Sequence, residues 1–117
     1  MRATATLLVV AGLASTAFGA ATKFFTDDKC NDEIGKKVFN GLSSGDAIIP
    51  DDAKFIKTDA ILDTWFAYQS NDGKSCKGDL LTRMKDGECT PVDKLGIGCT
   101  RLCSGGLGGG DCAAQTL

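Results

Sequence analysis

The chain contains no histidine. That removes the side chain most used as a general acid or base near neutral pH, and also the commonest metal ligand. Its six cysteines include no Cys-x-x-Cys pair. The tightest spacing, Cys99-Thr100-Arg101-Leu102-Cys103, has no second tight pair to complete a zinc site. No Asn-x-Ser/Thr sequon occurs, so no N-linked glycan is expected. Excess positive charge is missing too: 13 Lys and Arg face 15 Asp and Glu, a net charge of −2. Nucleic acid and stable membrane insertion are therefore not expected. Only one long apolar stretch exists, at the start, and it falls well short of the ~20 residues that span a bilayer.

That stretch, "LLVVAGLA" at 7–14, follows the lone charge of Arg2 and leads into "STAFGA". A short basic region, an apolar run and small residues at the exit predict a secretory signal peptide over 1–19, cleaved after Gly19. Residues 20–117 are then a single secreted, extracellular, disulfide-rich domain, more acidic by the loss of Arg2 and with a modest core. The segment "SGGLGGGDC" (104–112) lacks the Lys-Ser/Thr of a phosphate-binding loop. It reads as a Gly-rich C-terminal tail, 104–111, tied down by Cys112.

Cys30, Cys76, Cys89, Cys99, Cys103 and Cys112 all follow the leader. An even number in a small secreted chain reads as a disulfide framework. Local signs favour one pairing. "TWFAYQ" (64–69) alternates aromatics as a strand does, with Trp65 and Ala67 on one side and Phe66 and Tyr68 on the other. "SNDGKS" (70–75) is turn chemistry, "DLLTRM" (79–84) offers a return strand, and "KDGE" (85–88) a second turn. The expectation is a hairpin stapled by Cys76–Cys89, with its aromatics structural rather than catalytic.

A looser echo runs through "KFFTDDKCNDEIGKKVF" (23–39), about forty residues earlier, the length of four short strands. Tyr68 to Gly78, Gly87-Glu88-Cys89 and the closing "IGCTRL" (97–102) resemble the second motif of the βγ-crystallin-like fold. In that resemblance Cys99 stands where a Ser would precede Arg101. It implies an all-β fold, a small disulfide-stapled β-sandwich of two Greek-key-like motifs. The alternative is a helix through 51–67. Pro50-Asp51-Asp52 suits a helix start, and Ile56/Ala60, Ile61/Trp65 and Leu62/Phe66 lie four apart. That reading gives a small α+β domain similar to fungal killer toxins.

Catalytic residues are not expected. Oxidised cysteines supply no thiolate, and the acid pairs Asp27-Asp28, Asp32-Glu33 and Asp51-Asp52 sit in turns or point apart. No cofactor or metal is expected. Calcium would need six to eight oxygens. The nearest patterns are Asp51-Asp52 and Asn71-Asp72-Gly73-Lys74-Ser75, each beside lysines. What remains is similar to small secreted cysteine-rich proteins of fungi: an effector-like, monomeric protein that binds a host or extracellular target. Partner contacts are expected in the polar loops 26–33 and 70–75. An antimicrobial or killer-type toxin is the alternative. Membrane-active proteins are usually cationic, and this chain is acidic.

Overall fold

A computed structural model describes residues 19–40, 45–61, 63–103 and 112. Of the expected leader only Gly19 falls among them, and the Gly-rich segment 104–111 lies outside them. Among the described residues, eight strands and one short helix follow in order: β1 (Gly19–Phe25), β2 (Glu33–Asn40), β3 (Gly45–Ile48), β4 (Phe55–Asp59), β5 (Thr64–Asn71), β6 (Cys76–Arg83), β7 (Thr90–Pro91), α1 (Val92–Leu95) and β8 (Cys99–Cys103).

The strands form two antiparallel four-stranded sheets. Sheet A has the order β2-β1-β4-β7, and sheet B the order β3-β8-β5-β6. In each half of the chain the fourth strand returns beside the first, as in a Greek key. The third strand crosses to the other sheet: β3 joins β8, and β7 joins β4. The halves are therefore interlocked, and the expected all-β sandwich is the fold.

Side-chain alternation decides the faces. Ala20 and Phe24 of β1 and Ile56 of β4 turn inward against Trp65 and Ala67 of β5, Ala47 of β3 and Leu102 of β8. Thr22 and Thr100, both fully buried, join the sheets through a 2.9 Å hydroxyl hydrogen bond. β5 is buried on both faces over Thr64–Tyr68, which is why its sequence carries aromatics on either side. Phe66 and Tyr68 lie on the outer face of sheet B, in a second apolar cluster with Cys76, Cys99 and Cys103.

The helix through 51–67 does not form. Ala53 N–H donates to Pro50 C=O at 3.1 Å, closing a tight turn rather than opening a helix. After it Ile56 and Thr58 both face inward from β4, the period of a strand. Of the apolar pairs four apart, Ile56, Trp65 and Phe66 are buried strand residues, whereas Ala60 and Ile61 lie between β4 and β5 and Ile61 is exposed, so the spacing marks no helix face. Gly98 is required by packing: a Cβ there would stand 2.6 Å from Ser70 Cα and 2.8 Å from Gln69 O.

Candidate binding surface

All six cysteines are paired, as Cys30–Cys89, Cys76–Cys99 and Cys103–Cys112. The expected Cys76–Cys89 staple is therefore incorrect. The hairpin itself is present, with β5 and β6 joined across residues 72–75. Its second strand does not turn back locally. Met84 N–H still donates to Trp65 C=O on β5, but the chain then leaves sheet B, and Gly87 N–H donates to Thr58 C=O on sheet A. Cys89 thus arrives beside the β1–β2 turn that carries Cys30, and Cys76 is left facing Cys99 on β8. Loop closure across 59, 23 and 9 residues stabilises by about 4.3, 3.4 and 2.6 kcal/mol in the chain-entropy account.

The two polar loops singled out from the sequence meet at one end of the sandwich. The β3–β4 connection runs between their bases. Lys54 N–H donates to Phe25 C=O below the first turn, and Ile49 N–H donates to Gly98 C=O. That same carbonyl accepts from Asn71 Nδ2 below the second turn, at 2.8 Å. In the first turn Asp27 accepts from the N–H groups of Asn31 and Asp32. Its carboxyl is held below the ordinary 3.8, chiefly by the Asp32 N–H. In the second, Asp72 Oδ1 accepts from Ser75 and Lys74 N–H at 2.7 and 2.9 Å. The Ser75 N–H leads the downward shift of this carboxyl. Each turn is thus shaped around an internal anion and braced by a disulfide, Cys30–Cys89 or Cys76–Cys99. Asp28, Lys29, Gly73 and Lys74 remain exposed at the tips. No known protein family, curated protein or solved structure matches the chain.

The calcium patterns serve the same turns. Asn71 Oδ1 accepts from Gly73 N–H at 2.9 Å, and Lys77 Nζ stands 3.8 Å from Asp72 Oδ2. The oxygens that would coordinate a cation already face protein donors. Asp51 and Asp52 are exposed, beside a Lys54 that pairs with Asp93 at 3.6 Å. Asp46, Cys76 and Cys99 also converge, but those sulfurs are bonded to each other and present no thiolate.

The strongest charged contact was not legible as a site in the sequence. Arg101 Nε donates to Asp46 Oδ1 at 2.7 Å and Nη2 to Oδ2 at 3.1 Å, across 55 residues of chain. Nη1 donates to the Cys112 carbonyl at 3.0 Å, and the guanidinium carbon lies 5.0 Å from the centre of the Tyr68 ring. Asp46 also accepts from Cys76 N–H at 2.8 Å. The Asp46 hydrogen bond is the main reason the Arg101 pKa is raised, while burial raises that of Tyr68. One guanidinium thereby ties β3, β8 and Cys112 together.

At the opposite end, a cleft of about 430 Å³ is lined by Asp63, Thr64, Trp65, Arg83, Met84, Lys85 and Asp86. Burial raises the Asp86 pKa, opposed by a 3.2 Å hydrogen bond from Thr58 Oγ1. Asp63 Oδ1 is buried with no protein partner. Trp65 forms the cleft floor without being available for chemistry: it is fully buried and its Nε1 donates to Asp59 C=O at 2.8 Å.

Proposed function

We propose that this is a secreted, non-enzymatic, effector-like protein of fungal type that binds a host or extracellular target through its two stapled turns. One observation carries the reading. Turns 26–32 and 72–75 come to the same end of the sandwich, each braced by a disulfide and an internally satisfied aspartate. Pre-organised loops lose little conformational freedom on binding, so their exposed tips can convert contacts into affinity. Three disulfides support an oxidising, extracellular setting. The leader-like composition of residues 1–19 supports secretion. The acidic aspartates of the turns are spent on backbone N–H groups, which supports a shape-holding rather than a proton-transfer role.

The test applies the protein from residue 20 onward to plant tissue and to microbial cultures in parallel. A host response without growth inhibition is the expected outcome. Growth inhibition without a host response would refute the effector reading and favour the toxin. Within the host assay, Asp28→Ala/Lys29→Ala and Lys74→Ala variants should lose the response while melting like the parent. Retained response would place the contact surface elsewhere.

A further inference from the structure

The pairing register of sheet A brings three lysines into one row. Lys23 of β1 stands directly opposite Lys36 of β2 on one side and Lys57 of β4 on the other. All three point away from the core, because Thr22 and Phe24 beside Lys23, and Ile56 and Thr58 beside Lys57, are buried on the inward face. Like charges directly opposite one another on a sheet are destabilising. Apart from the contact of Lys57 with the Phe25 ring, the row opposes folding, and a polar residue at the central position would relieve it. Nor is it neutralised within the protein. Among the described residues the ion pairs join Lys54 to Asp93, Lys77 to Asp72 and Arg101 to Asp46, and none includes a lysine of the row. The acids on the same face fall in the adjoining rows, Glu33 opposite Phe25 and Asp59 opposite Ala21.

We propose that the outer face of sheet A is a docking surface for an acidic polysaccharide, a polyuronate chain laid across the strands along Lys36, Lys23 and Lys57. Neighbouring strands are ~4.8 Å apart, so the row presents one ammonium per strand at close to the repeat of one sugar in such a chain. A polyuronate presents one carboxylate per sugar, a linear charge density that three lysines on adjacent strands complement. On either side the central-strand residues are themselves buried, Phe25 at 4% and Ala21 at 7% exposure, so the ammonium groups are the contact points of this face. Phe25, Phe55 and Pro91 form the next row toward the turns, and Lys57 Nζ sits 5.9 Å over the Phe25 ring. Ala21 and the exposed Val38 form the row on the other side. The corresponding face of sheet B carries the apolar cluster of Phe66, Tyr68 and the bridged cysteines instead of a row of like charges. A single positive row bordered by acids, on a chain of net charge −2, suits a thin linear polyanion better than a duplex or a bilayer. The inference shares with the proposed function only its extracellular setting, and it uses a different surface.

The test titrates the disulfide-intact protein with polygalacturonate oligomers by calorimetry at low and at physiological ionic strength. Parallel arms use the methyl-esterified oligomer, heparin, single-stranded DNA and phosphatidylserine-containing vesicles. Binding to the free-acid oligomer should weaken with salt and disappear on esterification. Each single Lys→Gln change in the row should lower affinity roughly tenfold, the scale of one charge-assisted hydrogen bond. Lys23→Gln/Lys36→Gln/Lys57→Gln should abolish binding and melt no lower than the parent, while Lys→Arg at the same positions keeps binding. Lys74→Gln and Lys94→Gln should change nothing. Four outcomes would each overturn the proposal: no binding at low salt, equal binding of the esterified oligomer, retained binding by the triple glutamine variant, or tighter binding of heparin, DNA or vesicles. The two readings fail separately. Loss of the host response in turn variants that still bind polyuronate leaves this surface standing, and the reverse result leaves the turns standing.

Discussion

The Thr22–Thr100 contact gives a sharp test of how the two sheets hold together. Both hydroxyls are fully buried at the sandwich centre and meet at 2.9 Å. Valine matches threonine in shape, so Thr→Val removes the hydroxyl and leaves the packing in place. A single Thr22→Val or Thr100→Val change strands the other hydroxyl in the core, and an unsatisfied buried group costs about 1–3 kcal/mol. The double change removes both hydroxyls, and replacing both partners with apolar groups is nearly neutral. The two singles together therefore cost about 2–6 kcal/mol and the double about 0, a coupling of that same size and opposite sign. Urea melts followed by far-ultraviolet circular dichroism, with disulfides intact, measure all four proteins. At an m of ~1–3 kcal/mol/M, each single should lower the midpoint by roughly 1 M while the double returns to the parent value. If the two single losses simply added in the double variant, the hydroxyl pair would not be the inter-sheet link described.

Trp65→Ala should cost about 3–5 kcal/mol for the cavity alone, because the ring is fully buried and its Nε1 donor is used. Normal melting with lost activity would instead mark Trp65 as a contact residue. Asp46→Ala removes the carboxylate that pairs with Arg101, whose side chain is only 12% exposed. A loss of about 3–5 kcal/mol is expected in thermal or urea melts, and Asp46→Leu/Arg101→Met should recover part of it. The carboxyls of Asp27 and Asp72 are depressed in the fold, so their stabilisation is present above 3.8 and is lost as pH falls through their folded values. Asp86 is raised by burial, so the stability its protonated form contributes is lost as pH rises through the window above 3.8. Urea melts across that range should show Asp72→Asn flattening the acid-side loss and Asp86→Asn raising stability on the neutral side.

How much of this was legible beforehand depends on the range of the signal. The aromatic strand at 64–69 and its turn at 70–75 are local, and both stand in β5 and its hairpin. The inward set of Trp65 and Ala67 against the outward set of Phe66 and Tyr68 followed from a period of two. The cysteine pairing did not follow, because it depends on where β6 hands the chain to the other sheet. Nothing within 76–89 signals that Gly87 will bond to Thr58. The Asp46–Arg101 pair escaped for the same reason. The row of lysines is likewise a product of register, since Lys23, Lys36 and Lys57 share no motif and become neighbours only when β1 is flanked by β2 and β4.

The exchange of third strands between the halves has a consequence for biogenesis. Sheet A waits for Thr90–Pro91 to complete it, and sheet B draws its edge strand β3 from a segment made before β5, β6 or β8 exists. β1, β2 and β4 can pair once Asp59 is made, but a ribosome must release nearly the whole domain before the two sheets can close into the sandwich. Non-local pairing of this kind folds slowly. Chain order also puts the wrong thiols together first: Cys30 emerges before Cys76, while its native partner Cys89 comes 59 residues after it. The earliest bond open to an oxidant is therefore Cys30–Cys76, a non-native one. Correct assembly then depends on thiol–disulfide exchange after synthesis, and yield in a heterologous host should follow its supply of disulfide isomerase rather than of oxidant.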